Sequence, residues 1–297
     1  MKKYLTYDDV NIVPKYSEVL SREDIDLSTR FTKNTTMSVP IVASPMDTVT
    51  EYKMASEMLD QGGVGVIHRF QSIEKQTEQM KRVWRQWDSW YNIGDKDEDR
   101  TDHHRVYEDW YRGVMSWNHP PTKSDFEDLE ELLWFADEAK KDEEYWSKRP
   151  LCAAIGVKGD YLERAKELVL NGCNVLLIDV AHGHHKNVGE AIEKIKSKIS
   201  NVEVVAGNIA TSDGARFLAE KGADAIRVGI GNGSLCETRI RTGVGLPQVT
   251  TLIDVCSVAD DWDIPIIADG GIRNVGDVAK GLGCGADTIM VGSLLSG

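Results

Sequence analysis

No apolar run in these 297 residues approaches the ~18 needed to cross a bilayer, so no membrane span is expected. The opening MKKYLTYDDVNIVP has two lysines but no apolar stretch behind them, so no secretion signal is expected either. Cysteine is scarce. The five residues at 152, 173, 236, 256 and 284 are an odd number without CxxC spacing. That fits a reducing cytoplasm, where most cysteines act as small buried hydrophobes. Basic side chains are outnumbered by acidic ones, 35 to 48, giving a net charge of −13. A nucleic-acid partner is therefore not expected, because phosphate recognition needs a basic surface. Tryptophan is almost missing outside one stretch, since seven of the eight lie between residues 84 and 149.

What is present is a core. Hydrophobic residues make up 41% and charged residues 28%, which excludes general disorder. The length suits a single α/β barrel of ~250 residues plus an addition. Residues 84–149 read as that addition: they hold 18 acidic and 10 basic residues and carry most of the net charge. Apolar residues recur there at helical spacing (Phe126, Leu129, Leu132, Leu133, Phe135, Ala136) behind a capping Ser124, and Trp84, Trp87 and Trp90 form one stripe. A small helical subdomain packed on the main body is the plain reading. Clustered tryptophans also suit a ligand or partner surface.

Elsewhere, short apolar runs alternate with amphipathic helices. The runs cover residues 40–43, 64–67, 152–155, 175–178, 202–206, 225–228, 265–268 and 288–291. Runs this continuous fit parallel strands buried on both faces. Helices are legible over 161–171 and 212–221, with Gly172 and Gly222 where C-terminal caps belong. Eight such repeats predict a (β/α)8 TIM barrel, more strongly than an open sheet. The division is 1–83 for the N-terminal segment and first two strands, 84–149 for the insert, and 150–297 for strands three to eight.

In such a barrel the chemistry sits where the strands end. Those ends carry Ser44-Pro45-Met46-Asp47, His68-Arg69, Asp179-Val180-Ala181-His182, Gly207-Asn208, Asp269-Gly270-Gly271 and Gly292-Ser293. After the sixth run comes Gly229-Ile230-Gly231-Asn232-Gly233-Ser234-Leu235-Cys236-Glu237-Thr238. Its alternating glycines let a ligand approach the backbone closely, and three glycine-rich loops at adjacent strand ends predict a phosphate site. Cys236 is the one cysteine in such a loop. It is either a thiolate nucleophile or an ordinary loop residue; the other four fall in strand or helix patterns. Asp269 can accept two sugar hydroxyls, or hold its loop. His182, His184 and His185 lack a matching ligand cluster, so a zinc site is not expected.

The motifs ASPMDTVTE, GGVGVIHRF, DVAHGHH, AGNIAT, GIGNGSLCETRIRTGVGLPQ, IIADGGIR and VGSLL occur in this order, after an opening LTYDDVNIVPKYSEVLSREDIDLSTRF. Together they resemble the inosine-5′-monophosphate (IMP) dehydrogenase/GMP reductase family over residues 4–83 and 150–297. The resemblance implies that Cys236 attacks C2 of a purine nucleotide monophosphate. In the dehydrogenase a hydride then passes to NAD, and water hydrolyses the covalent product to xanthosine monophosphate. In the reductase GMP loses ammonia and NADPH supplies the hydride. It further implies that Ser44, Met46, Ser234, Asp269, Gly270, Gly271, Gly292 and Ser293 hold the nucleotide, with Asn208 and Arg227 around the base and loop. Thr238 would sit beside the nucleophile. Asp179, Val180 and Ala181, with Gly229, Ile230 and Gly231, would form the nicotinamide-cofactor site. The carbonyls of Gly231, Gly233 and Cys236 would hold potassium.

Most motifs resemble the dehydrogenase version, while GDVAKGLGCGAD leans towards the reductase. Family dehydrogenases usually carry a regulatory Bateman domain where this chain has its shorter insert, so regulation of that type is not expected. The resemblance also implies a homo-tetramer. Family members continue past the eighth strand with a mobile flap and a final helix, whereas this sequence ends at Gly297. The corresponding expectation is a barrel without its last helix, with either a second polypeptide supplying the flap and eighth helix or the sequence being a fragment of a longer chain. A non-catalytic nucleotide-binding or interaction subunit is the remaining alternative.

Overall fold

The computed structural model describes residues 3–91, 149–234 and 236–296. The chain divides into two compact units, Met1–Trp84 with Arg149–Gly297, and Arg85–Lys148. The barrel lies in the first. The helix expected over 126–136 behind Ser124 is outside the described residues, as are most of the clustered tryptophans.

Two short strands come first, β1 (Thr29–Arg30) and β2 (Thr36–Met37), paired antiparallel. The eight apolar runs then appear as β3 (Ile41–Ala43), β4 (Val64–Ile67), β5 (Cys152–Ile155), β6 (Val175–Asp179), β7 (Glu203–Ile209), β8 (Ala225–Val228), β9 (Ile266–Asp269) and β10 (Thr288–Val291). All are parallel, and β10 pairs with β3 to close the ring in the order β10-β3-β4-β5-β6-β7-β8-β9. The (β/α)8 barrel is therefore the observed fold. Between the strands run α1 (Tyr52–Asp60), α2 (Ile73–Tyr91), α3 (Tyr161–Leu170), α4 (Lys186–Lys198) and α5 (Ser212–Glu220). They continue with α6 (Thr238–Thr242), α7 (Gln248–Ala259) and α8 (Val275–Gly283). Among the described residues no helix follows β10.

The strands are largely apolar runs because both of their faces are buried. Val42, Val64, Val66, Ala154, Val175, Leu177, Val205, Ala225 and Ile267 meet inside the ring with almost no exposed surface. Filling this interior is the main apolar gain of the fold, at ~25 cal/mol per Å² removed from water. α3 and α5 end as their glycines required. Gly172 and Gly222 take φ of +93° and +90°, the left-handed region that releases the chain back towards the next strand. Thr211 caps α5 by accepting the Gly214 amide, and Asn274 caps α8 by accepting the Asp277 amide.

The β1–β2 hairpin was not read from the sequence, because two-residue strands leave no periodicity. It covers the N-terminal ends of the strands. Phe31 and Met37 from this segment join the interior cluster. Glu203, at the start of β7, accepts the hydroxyls of Thr32 and Thr35, and at 3.0 Å both the amide and the side-chain nitrogen of Asn34. With that end closed, the C-terminal ends of the strands form the open face.

Candidate functional site

The open face holds a cavity of about 650 Å³. Every residue assigned a site role from the sequence lies on its wall. From β3 come Ser44 and Met46; from β6, Asp179, Val180 and Ala181; from β7, Asn208. β8 supplies Arg227 and the loop residues Gly229, Ile230, Gly231, Gly233, Ser234, Cys236 and Thr238. β9 supplies Asp269, Gly270 and Gly271, and β10 supplies Gly292 and Ser293. The fold thus gathers side chains up to about 250 positions apart into one pocket.

Its floor is a buried charge network. The Arg227 guanidinium donates from Nη1 to Asp179 Oδ1 at 2.8 Å and from Nε to Asp269 Oδ2 at 3.0 Å, with Nη2 also 3.0 Å from that oxygen. Asn208 Nδ2 donates to the same Asp269 oxygen at 2.7 Å and to the Gly229 carbonyl at 2.8 Å. Burial works against the charge of Arg227. The carboxylates of Asp269 and Asp179 outweigh it and raise the guanidinium above its ordinary pKa. Three donor contacts converge on Asp269 Oδ2, while Oδ1 has no hydrogen-bond partner among the described residues. That leaves one face of the carboxylate for a ligand's hydroxyls.

The sequence placed Gly207-Asn208 after a strand ending at 206. The structure carries β7 through to Ile209, with the register against β8 shifting between Gly207 and Ile209. That irregularity keeps Asn208 within the strand while its amide reaches Gly229 and Asp269.

The glycine loop after β8 is held close against β9. Gly229 has φ +142°, and a methyl group there would lie 2.0 Å from the Asp269 carbonyl oxygen, so no larger residue fits. Gln248, at the start of α7, is buried and was not assigned a role. It donates to the carbonyls of Val228 at 2.8 Å and Asp269 at 3.2 Å, and accepts from Asn232 Nδ2 at 2.7 Å. It ties the strand ends to the loop that carries the thiol. Only the resemblance in LPQ marked this position.

Cys236 is half-buried on the cavity wall, and its amide donates to the Gly233 carbonyl at 3.1 Å. Thr238 begins α6 two residues on. The other four thiols are poor nucleophiles for a physical reason. Burial pushes Cys173 and Cys256 up to about 12 and Cys152 well above the ordinary range, and also raises Cys284. Across the pocket, the Ser44 hydroxyl is buried without a hydrogen-bond partner, and a methyl group on Gly292 would reach 3.0 Å from it. An orphaned hydroxyl facing a bare glycine wall suits a polar ligand group that completes its bonding.

Arg69, Phe70, Asn232, Ile272 and Arg273 also line the cavity and were given no site role. Arg69 Nε donates to the Asp179 carbonyl at 3.2 Å. Arg273 pairs with Asp8 at 3.0 Å, joining the N-terminal segment to the loop after β9. The three histidines at 182, 184 and 185 are exposed, and no cluster of metal-ligating side chains occurs among the described residues.

Comparison with known proteins matches residues 4–297 to the IMP dehydrogenase/GMP reductase domain. The inosine-5′-monophosphate dehydrogenase of Cryptosporidium parvum is 40% identical over 295 residues, covering 99% of this chain and 68% of that protein. The enzyme of the same name from Borreliella burgdorferi is 40% identical over 299 residues, covering 100% and 70%. That from Nitrosopumilus maritimus is 36% identical over 362 residues, covering 100% and 75%.

Proposed function

Because the chain belongs to the IMP dehydrogenase/GMP reductase family, we propose that it oxidises C2 of IMP with NAD as the hydride acceptor. The observation that carries this reading is the gathering of one half-buried thiol, Cys236, with Asp269 and Asp179 around a single cavity. In this reading the Cys236 thiolate adds to C2 of the hypoxanthine ring. The carbon becomes tetrahedral and bears a hydrogen that can leave with its electron pair. A bound nicotinamide ring supplies the hydride-accepting chemistry. The ring left behind is joined to sulfur as a thioimidate; water attacks it, xanthosine monophosphate departs and the thiol is restored.

The chain's own residues supply position. Asp269 offers Oδ1 to the ribose hydroxyls, and the Arg227 contact fixes how that carboxylate points. Gly270, Gly271, Gly292 and Ser293 bring backbone amides to the phosphate, with Ser44, Met46 and Ser234 beside it. Thr238 is a hydroxyl two residues beyond the thiol in the loop sequence. The cofactor half of the pocket is assigned to Asp179, Val180 and Ala181 facing Gly229, Ile230 and Gly231. Asp179 is a carboxylate held between Arg69 and Arg227, and glycines opposite it leave the wall bare, so the residues present fit a ribose and a flat ring. Potassium, a ligand of carbonyl cages, is assigned to the Gly231, Gly233 and Cys236 carbonyls of one tight loop. A homo-tetramer belongs to the same reading. Exposed Val13, Tyr16 and Leu20 in the N-terminal segment provide apolar surface for a second copy to cover.

The test is absorbance at 340 nm with IMP and NAD, beside ammonia release from GMP with NADPH. NADH formed from IMP supports the dehydrogenase. Ammonia released from GMP without NADH from IMP overturns it in favour of the reductase. Neither activity, with nucleotide still bound, indicates a binding subunit.

A further inference from the structure

Of residues 3–30 only Tyr7 is buried, with 3% of its surface exposed. Three anchors hold it in place. The Leu5 amide donates to Thr250 Oγ1 at 2.8 Å, and the Leu5 carbonyl accepts the Val249 and Thr250 amides at 3.1 and 3.3 Å, in the first turn of α7. Lys280 Nζ, on α8, donates to the Tyr7 carbonyl at 2.9 Å. Asp8 pairs with Arg273 at 3.0 Å.

The buried ring reaches from α8 to the loop after β9. At the α8 end, a methyl group on Gly281 would lie 3.1 Å from the Tyr7 hydroxyl oxygen. At the other end, a methyl group on Gly271 would meet ring carbons Cδ2 and Cε2 at 3.4 Å. Gly271 lines the cavity and Tyr7 does not, so the ring stands behind the pocket wall. Gly270 is blocked on its own side. A methyl group there would lie 2.9 Å from the Gly233 amide nitrogen, in the loop that carries Cys236. Both glycines take left-handed φ, +90° and +85°. Without side chains they have no packing of their own to fix their height above the strand. The thiol loop against Gly270 and Tyr7 against Gly271 clamp them instead. The Tyr7 hydroxyl is buried without a hydrogen-bond partner. Burial, and then the neighbouring Cys284 and Asp277, push the phenol well above its usual range, so it stays neutral. A partnerless buried hydroxyl adds nothing to the clamp. The ring carbons on Gly271 make the contact.

Resting on the reading above, in which Gly270 and Gly271 hold the nucleotide phosphate, we propose that Tyr7 is a positioning residue for that phosphate. The N-terminal segment is a strap that presses the Tyr7 ring against the Asp269-Gly270-Gly271 loop and so sets where the loop's amides meet the ligand. Tyr7 touches neither substrate nor thiol. Without its ring, Gly271 gains space behind it and the loop can retreat. Amide–phosphate hydrogen bonds weaken steeply as they lengthen and bend.

Protection of Cys236 from iodoacetamide in the intact chain tests this, with IMP and inosine as separate probes. Inosine has the same base and ribose and lacks the phosphate. Tyr7→Ala should raise the IMP concentration for half-protection about tenfold, the scale of one charge-assisted hydrogen bond, and move that for inosine less than twofold. Tyr7→Phe should keep both wild-type values, because it keeps the ring carbons on Gly271. Tyr7→Leu fills the space without a flat ring and should shift IMP alone, as alanine does; it takes the place of Tyr7→Ala if that variant melts below the assay temperature. If IMP protects the wild type and a folded Tyr7→Ala or Tyr7→Leu equally well, the strap does not set the phosphate site and the nucleotide reading stands. Equal shifts for IMP and inosine also overturn it, by assigning Tyr7 to general packing of the pocket. A Tyr7→Phe that weakens IMP as alanine does overturns it by giving the effect to the hydroxyl. A wild type whose Cys236 is not protected by IMP removes both readings.

Discussion

Replacing Arg227 with leucine tests whether the pocket floor is held by charge. Arg227 is 8% exposed, and its guanidinium contacts two carboxylates, Asp179 at 2.8 Å and Asp269 at 3.0 Å. Leucine fills much of the volume but leaves both acids facing each other in a poorly hydrated site. Breaking one side of a buried pair costs about 3–5 kcal/mol, and about 2–4 °C of Tm is lost per kcal/mol in a domain of this class, so the melting point should fall by about 6–20 °C. Adding Asp179→Leu to Arg227→Leu should recover part of the loss, because the two sites share one interaction. Differential scanning calorimetry of the wild type and the two variants is sufficient. If Arg227→Leu melts within 2 °C of the wild type, the network does not hold the floor as described.

Gly229→Ala should fold yet bind nucleotide at least tenfold more weakly in an equilibrium titration, because its methyl group would meet the Asp269 carbonyl at 2.0 Å and push the glycine loop away from β9. Gln248→Leu removes the staple between Val228, Asp269 and Asn232. It leaves buried carbonyls unpaired, and a loss of about 1–3 kcal/mol should appear in urea unfolding. Iodoacetamide at pH 8 followed by peptide mapping should label Cys236 well before Cys173 or Cys256, whose thiols burial pushes up to about 12. The same shifts give an alkaline signature. Above pH 9 the unfolded chain ionises these thiols while the native state keeps them neutral. Stability should therefore be intact below pH 9 and fall towards pH 12, by up to about 1.4 kcal/mol per pH unit for each fully buried thiol.

The barrel was legible because its strands are buried on both faces and so appear as short, nearly continuous apolar runs. All eight runs became strands within a residue or two, apart from β7, which continues three residues further. The site was legible for a different reason. A parallel barrel turns every strand end towards one mouth, so reading the residue after each run collects pocket residues without any knowledge of contacts. That is how Ser44, Asp179, Asn208, Asp269 and Cys236 come together from five separate segments. The misses share a cause as well. Gln248 acts from the start of a helix through hydrogen bonds to carbonyls, which no spacing reveals. Phe70 has the identity of a core residue, and only its exposure marks it. The β1–β2 hairpin is too short to show a period, and Glu203 gave no hint that two threonines and an asparagine would gather on its carboxylate.

Mass spectrometry of the protein quenched during turnover with IMP and NAD tests directly whether Cys236 carries the covalent intermediate. The expected species carries the xanthosine monophosphate skeleton on the peptide that contains Cys236, absent when NAD is omitted and absent in Cys236→Ser. Steady NADH production by Cys236→Ser at the wild-type rate, or an adduct mapped to another cysteine, would contradict it.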